Sequence, residues 1–196
     1  MVATVAELAE RTAHGERFKY LYFWGDRPRR DGSAGKGCLS QWWFAPFEAD
    51  GVEYATAEHW MMARKARLFG DADAERRAVE AVHPRQAKDV GRSVRGFDQD
   101  VWERERFAIV VEGSLRKFAH HGELREFLLG TSSRVLVEAS PLDRVWGVGL
   151  AADDARVRDP AQWRGENLLG FALMEARTRL LTRTYAPAYT SAYTTT

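Results

Sequence analysis

Asp50-Gly51, followed by Thr56 and then by Ala57-Glu58-His59-Trp60-Met61-Met62-Ala63-Arg64-Lys65-Ala66, constrains this chain more than any other stretch. Both residues of an Asp-Gly pair tolerate positive φ, which suits the tight turn of a β-hairpin. A threonine just ahead of an apolar run is a good helix N-cap, because its hydroxyl accepts a free N–H of the first turn. The stretch therefore predicts a hairpin that feeds straight into a helix. Within that helix Glu58, Met61, Met62 and Lys65 stand at i, i+3, i+4 and i+7 and share one face. Such a face should carry core residues, yet a carboxylate and an amine sit at its two ends. Bare buried charges are costly, so these two need water, a partner or a ligand. We read the face as the floor of an active site.

At 196 residues the chain fits one domain with a real core, and its 45% hydrophobic and 12% aromatic content argues against disorder over most of the length. No apolar run approaches the roughly 20 residues of a membrane span, and no signal-peptide pattern opens the chain. Cys38 is the only cysteine, so no intrachain disulfide forms and the reducing cytoplasm is the expected compartment. A net charge of +1 supplies no global field to attract nucleic acid.

The hydrophobic patterning predicts an α+β fold, predominantly helical, with a few short strands. Residues 1–16 read as a short helix or loose leader, 17–182 as the single catalytic domain, and 183–196 as a flexible Thr/Tyr/Ala-rich tail. Strands are expected over 18–24 and 135–137, with a hairpin pairing 39–47 with 52–54. Helices are expected over 57–68, 72–82, 84–91, 100–119, 123–129 and 167–181. The Gly-, Pro- and Arg-rich segment 25–37 reads as a mobile loop.

Three groups of residues carry chemistry. Glu58 lies in a first helical turn, where free N–H groups and the helix dipole favour its anion. Its pKa should stay low unless desolvation wins, which suits activating water better than donating a proton. Lys65 lies two turns on, either facing ligand or snorkelling to solvent. The second group is Glu138-Ala139-Ser140-Pro141-Leu142-Asp143-Arg144-Val145-Trp146-Gly147, a loop leaving a strand. Asp143 there is a candidate second carboxylate, and Trp146 either stacks on a base or sugar or packs structurally. The third comprises Arg92 and Arg95, bracketed by Gly91 and Gly96, with Arg27, Arg29 and Arg30 in the mobile loop. These arginines are phosphate candidates or solvated turns. Trp102 lies on the inner face of the long helix, where most tryptophans are core. Asn167 is a candidate cap or ligand contact, and Gly170 inside the last helix indicates a close packing contact. The histidines lack zinc-site spacing, and there is no phosphate-binding glycine loop and no serine elbow, so neither metal nor cofactor is expected.

In this order, residues 54–65, Gly91 to Phe97, the helix ending at Gly130, Asp143-Arg144-Val145-Trp146-Gly147 and Asn167-Leu168-Leu169-Gly170 resemble the NADAR family, also called YbiA-like N-glycosidases. The resemblance covers roughly residues 20–181. It implies hydrolysis of N-glycosidic bonds to ribose, with Glu58, Trp102 and Asp143 as the catalytic set. Lys65, Trp146 and Asn167 would line the pocket, and Gly147, Arg92 and Trp24 complete the candidate substrate contacts. The implied substrates are phosphoribosylamino-pyrimidine intermediates of riboflavin biosynthesis, in metabolite repair, or ADP-ribosylated guanine in nucleic acid. A non-catalytic nucleotide or ADP-ribose binder is the competing class. The chain departs from the family at Met62, where Gln is frequent, and at Gln41-Trp42, where Asn-Phe is common.

Overall fold

The computed structural model describes residues 2–182. Along the chain run α1 (Val5–Ala13), β1 (Tyr20–Phe23), a 3-10 turn (Lys36–Leu39), β2 (Phe47–Ala49), β3 (Val52–Tyr54) and α2 (Ala57–Leu68). Then follow α3 (Ala72–Glu80), α4 (Pro84–Arg92), α5 (Gln99–His120), α6 (Gly122–Gly130), β4 (Val135–Glu138), two further 3-10 turns and α7 (Leu168–Leu181). The fold is α+β and mainly helical. No helix among the described residues is long and apolar enough to cross a membrane.

The hairpin-to-helix unit forms at its expected position. Asp50 and Gly51 take φ of 55° and 76°, so both turn residues use positive φ, and β2 pairs antiparallel with β3. Thr56 caps α2, accepting the His59 N–H. Phe47 and Tyr54 stack across the hairpin at 5.8 Å, and Tyr54 meets Trp60 edge-on at 5.2 Å, locking hairpin to helix. Trp60 in turn donates its indole N–H to the Ile109 carbonyl on α5 at 2.9 Å. A Cβ at position 113 would strike that indole, so Gly113 is what lets α5 approach.

The expected strand over 39–47 is a correction: only Phe47–Ala49 pairs. The buried Lys117 of α5 donates to the carbonyls of Cys38 and Ser40, at 2.7 and 2.8 Å, and so removes them from any ladder. Pro46 has no N–H to offer one. A second feature, absent from the sequence reading, is the parallel pairing of β1 with β4, in which Phe23 stands opposite Glu138. Helix α7 packs on β4 and α5. Gly170 makes the close contact expected of it, since a Cβ there would overlap the Leu136 carbonyl of β4. Helix α5 ends at His120, and the rings of His120 and His121 meet edge-on at 5.0 Å. The expected tail over 183–196 lies outside the described residues.

Candidate active site

The first turn of α2 and the last residue of β4 bring carboxyl groups together. Glu58 is held by its backbone, whose N–H donates to the Gln41 carbonyl at 3.0 Å. The residue is 3% exposed, and its Oε1 is buried with no hydrogen-bond partner. Burial, the dominant effect, pushes its pKa up to about 7; Lys88, the Trp42 indole and Arg92 pull downward, while Asp143 pushes up. The helix N-terminus was expected to keep Glu58 at an ordinary carboxylate value. Desolvation wins instead, because at 3% exposure water no longer solvates the anion.

Glu138 is the residue that sequence reasoning passed over. Its Oε2 is also buried and unpartnered, although part of the residue reaches the surface. Burial first, then Asp143 and Glu58, raise its pKa to about 8 against the pull of Lys88. Its backbone is clamped: Asn167 Oδ1 accepts the Glu138 N–H at 3.0 Å, and the Glu138 carbonyl accepts the Val148 N–H at 3.0 Å. The available signal was a charge terminating an apolar run at the C-terminal end of a strand, where functional groups gather.

Asp143 joins this cluster, acting on the charge state of both glutamates. One carboxylate oxygen is already engaged, since Oδ1 accepts the N–H groups of Val145 and Trp146 at 2.9 and 2.7 Å. That clamp shapes the loop. Gly147 lets the loop fold back, because a Cβ there would press on the Glu138 carbonyl at 2.8 Å. Asn167 takes a left-handed φ of 54° and does not cap α7 with its side chain. Its amide instead bridges β4, donating to the Leu136 carbonyl at 2.9 Å as well as accepting from Glu138.

The remaining sequence candidates lie as follows. Lys65 donates to the Gly91 carbonyl at 2.8 Å and sits between the rings of Phe97 (4.2 Å) and Trp102 (5.4 Å). Burial lowers its pKa. Met62 packs on Gly91, so α4 lies across the face that holds Glu58, Met62 and Lys65. Arg92 is exposed and pairs with Asp89 at 2.9 Å while adding positive charge near Glu58. Arg95 is tied to Asp71. Trp24 is exposed, one residue beyond the strand position paired with Glu138. Trp146 is half-buried against the core. Trp42, named from the sequence as a departure from the family pattern, stands edge-on to His83 at 5.9 Å and lies beside Glu58. Among the described residues, no group of three or more His, Cys, Asp or Glu side chains is placed to hold a metal ion.

Orphaned buried carboxyl oxygens beside lysine and arginine define a hydrolase-type site, built to move protons and to face developing positive charge. The chain belongs to the NADAR family: the NADAR domain model matches residues 22–181. Among its relatives is N-glycosidase R617 of Acanthamoeba polyphaga mimivirus, 38% identical over 83% of this chain and 96% of that one. N-glycosidase Npun_R5314 of Nostoc punctiforme is 34% identical over 72% of this chain and 83% of its own. N-glycosidase YbiA of Escherichia coli is 30% identical over 69% and 76%. The NMR structure of E. coli YbiA superposes with a TM-score of 0.68 at 25% identity, covering 92% of this chain and 98% of that one.

Proposed function

We propose that this chain, a hydrolase of N-glycosyl compounds by family, cleaves the C1′–N bond of a phosphoribosylamino-pyrimidine, an intermediate of riboflavin biosynthesis. The observation that carries the reading is Glu58, whose buried Oε1 lacks any partner within the protein. Departure of nitrogen from C1′ leaves oxocarbenium character on the ribose, and an unshielded carboxylate in a partly dry site stabilises that charge. Water then bonds to C1′ and gives up its proton, while the C–N electron pair leaves with nitrogen. Glu58 supplies the negative charge and orients the water, and the Asp143 carboxylate, fixed in its loop by the Val145 and Trp146 N–H groups, adds the second negative charge beside it. Lys88 and Arg92 on α4 provide the positive side, suited to a ribose phosphate.

A removal of ADP-ribose from guanine in nucleic acid is the second reading. It calls for a basic approach to the site. Of the arginines that could supply it, Arg95 is paired with Asp71 and Arg29 lies over the Phe127 ring. Those engagements favour the small substrate. A non-catalytic binder is disfavoured by the presence of Glu58 and Asp143 together.

The test is a product assay with three substrates side by side: phosphoribosylamino-uracil, its diamino-pyrimidinone relative, and ADP-ribosylated guanine DNA. Release of ribose 5-phosphate from a pyrimidine substrate is expected. Glu58→Gln should lower kcat by about 100-fold or more, the scale of a lost charge-stabilising or acid–base group. Asp143→Asn keeps an oxygen to accept the loop N–H groups, so it should fold normally and lose activity by roughly tenfold or more. Near wild-type turnover in both variants would discard the mechanism.

A further inference from the structure

We propose that Glu138 is a further catalytic residue of this site, the acid that protonates the departing nitrogen. The inference rests on the N-glycosidase reading above and assigns a step that reading leaves open. Cleavage of a neutral amino-linked riboside requires a proton on nitrogen as the C–N bond breaks, because an amide-like anion is a poor leaving group. Some group in the site must hold that proton beforehand.

Two buried glutamates that sense each other and the nearby Asp143 do not both ionise readily. The surroundings decide which one keeps its proton. Glu58 has the indole of Trp42 and the charges of Lys88 and Arg92 to support its anion. Asp143 has Oδ1 committed to two backbone N–H donors, which fix that carboxyl in its loop. Glu138 has Lys88 alone, opposed by both neighbouring acids. Glu138 therefore holds its proton more tightly than Glu58, and environments that separate two carboxyl groups in this way mark acid and base.

Geometry adds what charge alone does not. Glu138 ends β4, where its N–H and carbonyl are both fixed, by Asn167 and Val148. The side chain is thus carried on a rigid element, yet its Oε2 meets no acceptor in the protein. A protonated carboxyl with a buried, unused donor is arranged to give its proton to something that enters the site. In the step proposed, the O–H bond of Glu138 breaks and an N–H bond forms on the leaving amine. The C1′–N pair goes to that nitrogen, water adds its oxygen to C1′, and the proton released by the water restores Glu138 after product leaves.

The experiment compares two substrates on the intact enzyme: a phosphoribosylamino-pyrimidine and a pyridinium N-riboside 5′-phosphate. In the second, nitrogen leaves as a neutral pyridine and takes no proton. Glu138→Gln is expected to slow the first by about 100-fold or more and the second by less than about tenfold. Glu58→Gln should slow both alike. For the wild-type enzyme, kcat/KM on the amino-linked substrate should fall as pH rises above about 8, with that limb missing for the pyridinium substrate. The pH comparison needs no variant, so poor folding of Glu138→Gln would not spare the proposal. Equal slowing of both substrates by Glu138→Gln, or the same alkaline limb for both, overturns it while leaving the N-glycosidase reading intact. Failure of the wild-type enzyme to release base from either substrate overturns that reading first and this one with it.

Discussion

Asp71 and Glu58 are both acids of about 3% exposure at the start of a helix, and the protein treats them in opposite ways. Asp71 caps α3, accepting the Ala74 N–H at 3.2 Å, and it receives the backbone and side chain of Arg95 on both carboxylate oxygens. The Arg95 guanidinium holds its pKa well below the usual carboxylate range. Glu58 is left with a buried oxygen that has no hydrogen-bond partner in the protein, and its pKa rises. The difference separates structural acids from working ones: an anion filled with donors stabilises a fold, whereas an anion kept short of donors waits for a ligand.

That contrast can be tested at three levels. The largest effect is on stability and activity together. Asp71→Ala should lower the thermal midpoint by several degrees and leave kcat per folded molecule unchanged. Glu58→Gln should hold or raise the midpoint while abolishing most turnover, because it removes a charge whose burial is costly. Thermal unfolding alongside the product assay decides both. A stable, inactive Asp71→Ala would break the comparison.

The next effect is in the pH dependence of stability. Glu58 and Glu138 bind protons more tightly in the folded chain than in the unfolded one, where a glutamate titrates near 4.5. Their contribution is therefore fully present below about 4.5 and is lost as pH rises through about 7 and 8. Each group contributes a slope of at most about 1.4 kcal/mol per pH unit in that window. Urea midpoints across the window should decline more steeply in the wild type than in Glu138→Gln. An identical slope would show that Glu138 does not hold its proton in the native state.

The smallest effect belongs to Trp42. Its indole beside Glu58 favours the anion, so Trp42→Phe should let the pKa of Glu58 climb. The acidic limb of kcat/KM is expected to shift to higher pH by no more than about one unit, about 1.4 kcal/mol, the low end of what a polar contact to a charged group supplies. A profile unmoved by the substitution would remove Trp42 from the site's electrostatics.

The helices and the hairpin were legible because their signals are local. Thr56 and Pro84 mark helix starts, Asp50-Gly51 a turn, and the 3.6-residue apolar period the faces between them. Glu58 was legible as a charge out of place on such a face. Trp42 was legible only as a departure from the family pattern, and its place beside Glu58 was not, because the strand expected around it is a loop that Lys117 anchors from 77 residues away. Glu138 was hidden for a related reason: its register opposite Phe23 and its hold by Asn167 depend on segments far apart in sequence.

Taken alone, the sequence determined where the chain turns helical, which residues form the core faces, and that a carboxylate at position 58 lies where a methionine or leucine would be expected. Tertiary structure decided which other acid meets it, how little water reaches them, and therefore which carboxyl keeps a proton. Periodicity and capping act over a few residues, but desolvation and charge coupling depend on everything packed around a group, and that is set only once β4, α2 and α4 are brought together.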